Sequence, residues 1–363
     1  MIPYRPMIED IPLYEPGKPI EETERELGIK VIAKLASNEN PYGVSPIVKQ
    51  AIQEEAHQVF LYPDAQCYYL GKEIAALLQV SESRILLGAG SEEVIDLIAK
   101  AYFNLDDEVI MSQYAFVRYP MVTQMMGARS VFIPCLNYVD DFAAMARAIT
   151  PKTRAIILSN PNNPLGSYVS RNVIEEIMPL IPEEILVIFD DAYYEYVWAE
   201  DYPQTIELQL KYPNIISLRT FSKIYGLAGL RLGYAVGDEQ IIRSLKKVKN
   251  VFSVSLLAQA AGLAALKDRE FINFCKESNQ REYEWLSRQF DEHQIDYVPS
   301  QANFILISTA PYQGIEIYQY LLKKGIIIRP VAGYGLPGYV RVTIGTHTQN
   351  ERFIHYFLEA LKS

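Results

Sequence analysis

The segment TFSKIYGLAGLRLGY (220–234) holds the residues best suited to chemistry. Lys223 follows the apolar run Ile215-Ile216-Ser217-Leu218, which reads as a strand. In open α/β sheets the carboxyl end of a strand is where ligands bind. A lysine there becomes a Schiff-base nucleophile when its surroundings favour the free amine. Thr220 and Ser222 precede it and Arg231 follows it, a set that could hold a phosphate. Taken alone, the segment equally fits a surface lysine in a Gly-rich loop.

Other loops add to it. Leu87-Gly88-Ala89-Gly90-Ser91 follows a strand pattern and opens a helix, whose first N–H groups suit a phosphate. A simple tight turn is the other reading, and the dinucleotide fingerprint fails because Glu93 stands where Gly or Ala is needed. Asp190 ends the run Ile185-Leu186-Val187-Ile188-Phe189. A carboxylate there is costly to desolvate without a cationic partner, and a pyridinium nitrogen would be one. Asp191 reads as an exposed loop acid. SNPNNPLG (159–166) is turn chemistry in which an Asn amide could donate to a phenolate oxygen. Arg329 and Arg341 flank an 11-residue connection, Pro330 to Val340. If the flanking strands pair as a hairpin, the two cations sit side by side and call for an anion between them.

These residues need a scaffold. Apolar runs predict strands over 84–88, 108–111, 130–133, 154–159, 185–190, 215–219 and 231–236. Helical patterns lie over 68–78, 91–103, 142–149, 171–180 and 240–248. In 91–103 the apolar residues Val94, Ile95, Leu97, Ile98, Ala101 and Tyr102 share one face. Alternating strands and helices predict a mostly parallel sheet covered by helices. After about residue 255 one long helix over 255–290 precedes strands near 302–307, 326–329 and 339–344 and a helix over 350–362. The reading is an N-terminal segment over 1–40 that packs on the small domain or a partner, a large domain over 41–255 and a small α+β domain over 256–363.

Composition limits the rest. The 363 residues suit about two domains of ~150 residues. Lys+Arg is 34 against Asp+Glu 44, a net charge of −10, which argues against nucleic acid as a partner. No apolar run is long enough for a membrane span, and the N-terminus lacks the apolar core of a signal peptide. Cys67, Cys135 and Cys275 show no metal or disulfide spacing, so the cytoplasm is expected. His57, His293, His347 and His355 show no metal or triad spacing, and no metal is expected. The 26 Tyr and 14 Phe do not prove an aromatic substrate.

The ordered set PNNPLG (161–166), FDDAYYEY (189–196) and TFSKIYGLAGLRLGY (220–234) resembles the fold-type-I aminotransferases that depend on pyridoxal 5'-phosphate. LASNENPYG (35–43), YPD (62–64), GSEEVIDLI (90–98) and RPVAGYGLPGYVRVTIGT (329–346) narrow the resemblance to the histidinol-phosphate aminotransferase family. It implies that fold, with a seven-stranded mostly parallel sheet plus a smaller α+β domain. It implies a homodimer that moves an amine between histidinol phosphate and 2-oxoglutarate in histidine biosynthesis.

The resemblance also implies roles. Lys223 is the Schiff-base lysine and proton shuttle. Asp190 pairs with the ring nitrogen, and Asn163 and Tyr193 hydrogen-bond the phenolate oxygen. Tyr114 stacks on the ring. Thr220, Ser222, Arg231 and the backbone of Gly90, Ser91 and Glu92 hold the cofactor phosphate, with Tyr62 reaching it from the other subunit. Arg341 and Arg329 take the substrate's terminal anion, with Tyr14 across the dimer and Asn38 in the same pocket. Leu165, Asp191 and the pair Phe60-Leu61 depart from the usual pattern without removing a role. Glu92 and Glu93 would have to turn their side chains away from a phosphate. Related readings are an aromatic aminotransferase, a threonine-phosphate decarboxylase and a non-enzymatic protein that binds the same cofactor.

Overall fold

The computed structural model describes residues 5–9, 11, 20–28 and 32–362. Tyr14 lies outside them, as does much of the predicted N-terminal segment. The strands among the described residues are β1 Ala33–Lys34, β2 Ile85–Gly88, β3 Glu108–Ser112, β4 Arg129–Ile133, β5 Thr153–Ser159, β6 Leu186–Asp190 and β7 Ile215–Thr220. They continue with β8 Gly233–Gly237, β9 Tyr297–Val298, β10 Phe304–Ser308, β11 Ile326–Ile327, β12 Arg329–Pro330 and β13 Tyr339–Thr343.

Seven strands form the large sheet in the order β2-β8-β7-β6-β5-β3-β4. Only β8 runs against the others. The central strands are continuous Val/Ile/Leu/Phe runs because both faces are covered. Ile157 and Ile188 pack on the cluster of Val94, Ile98 and Leu245. Their neighbours Ile156, Leu158, Val187 and Phe189 pack on Phe142, Ile174 and Ile177 on the other side. Successive side chains of a strand point to opposite faces, so each strand feeds both cores.

The second sheet, β12-β13-β10-β9, is antiparallel. Val340 and Val342 face the helices Arg269–Glu292, Gly314–Lys323 and His347–Ala360 through Phe290, Leu321, Phe353 and Phe357. The residue between them, Arg341, lies on the opposite face. β1 pairs in parallel with β11, and the Thr343 amide donates to the Leu35 carbonyl at 2.8 Å. The chain just before the large sheet is thereby stitched to the second one. No described helix is long and apolar enough to cross a membrane.

The helix expected over 255–290 is two helices, Leu256–Lys267 and Arg269–Glu292. Asp268 breaks it with φ −92° and ψ 70°. Its carboxylate accepts the Phe271 amide at 3.0 Å and the Ser45 hydroxyl. A side chain that caps a new helix cannot also continue the old one.

Asp268→Ala removes that cap and the Ser45 bond. Urea unfolding should show a loss of about 1–2 kcal/mol. No loss would mean that the helix break is set by the packing of the two helices alone.

Candidate active site

The carboxyl ends of β2, β3, β5, β6 and β7 open onto one side of the large sheet, and Arg341 of the second sheet closes over them. Between them lies a cavity of about 280 Å³. Ser91 and Glu92 line it from the β2 end, Asn163 from the β5 end, and Asp190 and Tyr193 from the β6 end. Thr220, Ser222, Lys223 and Arg231 line it after β7. Asn38, Arg329 and Arg341 complete the wall. Residues from distant parts of the sequence thus meet around one space.

Asp190 is 5% exposed. Its Oδ2 accepts the Tyr119 hydroxyl at 2.6 Å. Its Oδ1 is buried and receives no hydrogen bond of good geometry from the described residues. Burial pushes this carboxyl up, against the Tyr119 hydroxyl, the Ala192 amide and the Lys223 charge. Lys223 donates to the Ser37 carbonyl at 3.4 Å, and its Nζ lies 5.5 Å from the centre of the Tyr193 ring. Burial, then the charges of Arg341 and Arg231, lower its ammonium to about 8, against Glu39 and Asp190. Lys223 is therefore free amine in a far larger share near neutral pH than an ordinary lysine.

At the opposite wall Arg341 and Arg329 are direct register partners of β13 and β12, as the hairpin reading requires. Arg341 Nη2 donates to the Ala36 carbonyl at 2.7 Å, and Nη1 donates to Asn163 Oδ1 at 2.5 Å. With that oxygen engaged, the Asn163 NH2 is the end left to donate. Asn38 Nδ2 donates to the Tyr193 hydroxyl at 2.9 Å. Burial pushes the Tyr193 phenol up to about 12, so its O–H remains a donor. Two guanidinium groups side by side repel, and an anion between them relieves that repulsion.

At the β2 end, Thr220 Oγ1 donates to Ser222 Oγ at 3.0 Å. Arg231 Nη1 donates to the same Ser222 Oγ at 3.4 Å. The helix Ser91–Tyr102 starts here, behind Gly90 with φ +86°. A Cβ on Gly90 would lie 2.8 Å from Arg231 Nη2, so a side chain there fills the cradle.

Several residues stand where the sequence predicts, and several do not. Tyr114 does not line the cavity; it stacks on Tyr138, with ring centres 6.4 Å apart. Phe116, two residues on, lines it instead. Glu93 turns back to accept the Ala89 amide at 2.5 Å. Glu92 does not turn away; its carboxylate lies 3.7 Å from Arg231. Asp191 is fully buried rather than exposed. It lies 3.6 Å from Arg219 and accepts the Thr205 hydroxyl at 2.5 Å. The reason is Arg219, buried in β7, which also lies 3.8 Å from Glu195 and stacks on the Tyr194 ring. Tyr62 is 81% exposed, stacked on Phe252 and away from the cavity of its own chain, which leaves its expected role at another subunit's site open. Tyr119, Phe116, Ser37 and Tyr334 line the site or touch its key groups and were not singled out. No spacing marks them. Among the described residues no group of three His, Cys, Asp or Glu could hold a metal ion.

The family model for aminotransferase class I and II matches residues 30–357. The histidinol-phosphate aminotransferase of Moorella thermoacetica is 44% identical, over 98% of this chain and 92% of that one. That of Caldicellulosiruptor saccharolyticus is 42% identical, over 99% of this chain and 100% of the relative. A crystal structure of histidinol-phosphate aminotransferase from Sinorhizobium meliloti, in complex with pyridoxal-5'-phosphate, superposes with a TM-score of 0.90. It is 26% identical and covers 99% of this chain and 97% of that one. With matches of this length and identity, the chain belongs to the class I and II aminotransferases, within the histidinol-phosphate aminotransferase family.

Proposed function

We propose that this chain transfers an amine between L-histidinol phosphate and 2-oxoglutarate, with pyridoxal 5'-phosphate as its cofactor, in L-histidine biosynthesis. The biosynthetic direction takes the amine from glutamate to imidazole-acetol phosphate. The observation that carries this reading is the cavity itself: a lysine whose ammonium is lowered to about 8, a buried carboxylate with one oxygen unpartnered, and a register pair of arginines share it.

The cofactor fits these residues. The open Oδ1 of Asp190 suits a protonated ring nitrogen. The cradle of Thr220, Ser222, Arg231 and the backbone of Gly90, Ser91 and Glu92 suits a phosphate. The Asn163 NH2 and the Tyr193 O–H are donors for the phenolate oxygen. Phe116 takes the ring-stacking place first assigned to Tyr114. The chemistry that the group supplies when bound is an electron sink for the carbon bearing the substrate amine.

The chain's own groups do the rest. Asp190 keeps the ring nitrogen protonated by holding its charge in the interior. Lys223 would hold the cofactor through its side-chain nitrogen, and its freed amine would serve as base and acid next to the substrate. As base it would take the proton from the substrate's amine-bearing carbon, and as acid it would return one. A pKa near 8 suits both roles at neutral pH. Arg341 and Arg329 orient the substrate by its terminal anion: phosphate in histidinol phosphate, carboxylate in glutamate. Asn38 holds Tyr193 and lines the same end.

The reading includes a homodimer in the cytoplasm. Val59, Phe60, Leu61 and Tyr62 form an exposed apolar run, with Phe252 stacked on Tyr62. Such a patch suits burial against a second copy, which supports the role this reading gives Tyr62 at that copy's phosphate site. The three cysteines are free thiols, which supports a reducing compartment.

Stopped assays with histidinol phosphate and phenylalanine test the substrate. Histidinol phosphate should give the higher kcat/KM, and Arg341→Ala should lower it roughly 10–100-fold. Equal values for both substrates would make this an aromatic aminotransferase. Lys223→Ala should lose roughly 10⁴-fold or more in turnover. The lowered lysine gives a pH prediction for the cofactor-free chain. Reductive alkylation of Lys223 by a small neutral aldehyde, followed on its peptide by mass spectrometry, should rise through a midpoint near pH 8. In Arg341→Ala that midpoint moves up, because a like charge is gone. A native midpoint near the ordinary 10.5 would contradict the site.

A further inference from the structure

Asp190 Oδ2 accepts the Tyr119 hydroxyl at 2.6 Å, the one side-chain hydroxyl on this carboxylate among the described residues, beside the Ala192 amide that also stabilises it. Tyr119 is 2% exposed and pinned from several sides. It sits in the helix Arg118–Met125. Its neighbour Arg118 donates to both Asp96 oxygens at 2.6 Å. Thr123 donates to the Tyr119 carbonyl at 2.8 Å. The Phe116 ring meets the Tyr119 ring edge-on, with centres 5.6 Å apart. Asp190 is equally fixed, paired in register with Ser159 of β5 and Leu218 of β7.

The chemistry of this donor matters. Burial and the Asp190 charge push the Tyr119 phenol well above its ordinary value, so it stays neutral. A neutral O–H stabilises a carboxylate without cancelling its charge. A lysine or arginine in the same place would consume that charge, as Arg219 does for Asp191 next door, at 3.6 Å. A carboxylate also rotates about its terminal bond, and a bond to Oδ2 fixes where Oδ1 points.

We propose that Tyr119 is a positioning residue for Asp190, holding it ionised and turned so that Oδ1 is offered to the ring nitrogen of the cofactor. This rests on the reading of the site given under Proposed function. Tyr119 touches neither substrate nor the reacting carbon in this role; it acts through Asp190.

Tyr119→Phe keeps the ring and its packing and removes only the hydroxyl. The test titrates the native chain and Y119F with pyridoxal 5'-phosphate and with its carbocyclic analogue, in which carbon replaces the ring nitrogen. The native chain should prefer the true cofactor. Y119F should bind it roughly tenfold more weakly and bind the analogue unchanged. Unchanged analogue binding also shows that Y119F is folded. In turnover, kcat should fall while KM for histidinol phosphate stays constant. An equal loss for both ligands, or no loss for either, overturns the assignment to Tyr119 while the native preference leaves the site reading standing. A native chain that binds the two ligands equally overturns both.

Discussion

A carboxylate buried at the carboxyl edge of a sheet must be answered by positive charge, and the site is arranged around that demand. Asp190 and Asp191 are adjacent, both buried, and solve the problem in two ways. Asp191 has a permanent partner in Arg219, with hydroxyls from Thr205 and Tyr202 around it. That arrangement is closed and structural. Asp190 has a neutral donor on one oxygen, and the other is buried with no hydrogen bond of good geometry from the described residues, in a residue that lines the cavity. The cation that faces it, Lys223, is itself weakened by burial. Asp190 is thus built to be completed by a charge that arrives with a ligand.

The second constraint is the meeting of two sheets. Asp190, Lys223 and the phosphate cradle come from loops at the carboxyl ends of the large sheet. Arg341 and Arg329 come from the antiparallel sheet. Alternation along β13 sends Val340 and Val342 into the helical core and Arg341 the other way. The stitch at β1 and β11 carries residues 36–38 into the cleft, where Ala36 receives Arg341 and Asn38 reaches Tyr193. Asn163 links the halves directly, since its oxygen accepts from Arg341 while it stands on the large-sheet side. The anion site and the lysine are therefore rigidly spaced.

Much of this was legible from the chain. Strands buried on both faces are continuous apolar runs, so β5, β6 and β7 stood out, each within about two residues of its observed bounds. Residues that follow such strands within a few positions inherit their place, which is why Lys223, Asp190, Thr220 and Ser222 could be read, while the choice of Asn163 among the asparagines of its loop came from the family resemblance. The paired arginines followed from hairpin geometry alone. What could not be read depended on contacts between distant segments. Tyr119 is 71 positions from Asp190, and nothing in its local pattern announces the bond. Asp191 looked like a loop acid because its partner Arg219 is hidden in another strand. Tyr114 and Phe116 are both aromatic and two residues apart, and only the path of the loop decides which faces the cavity. The break at Asp268 turned on Ser45, which lies far away in sequence.

The most direct measurement is borohydride reduction of the purified protein supplied with pyridoxal 5'-phosphate, followed by peptide mapping. The account predicts the mass of a pyridoxyl phosphate group on the peptide bearing Lys223, and its loss when Asp190→Asn is reduced at limiting cofactor. A label on other lysines with Lys223 unmodified would contradict it.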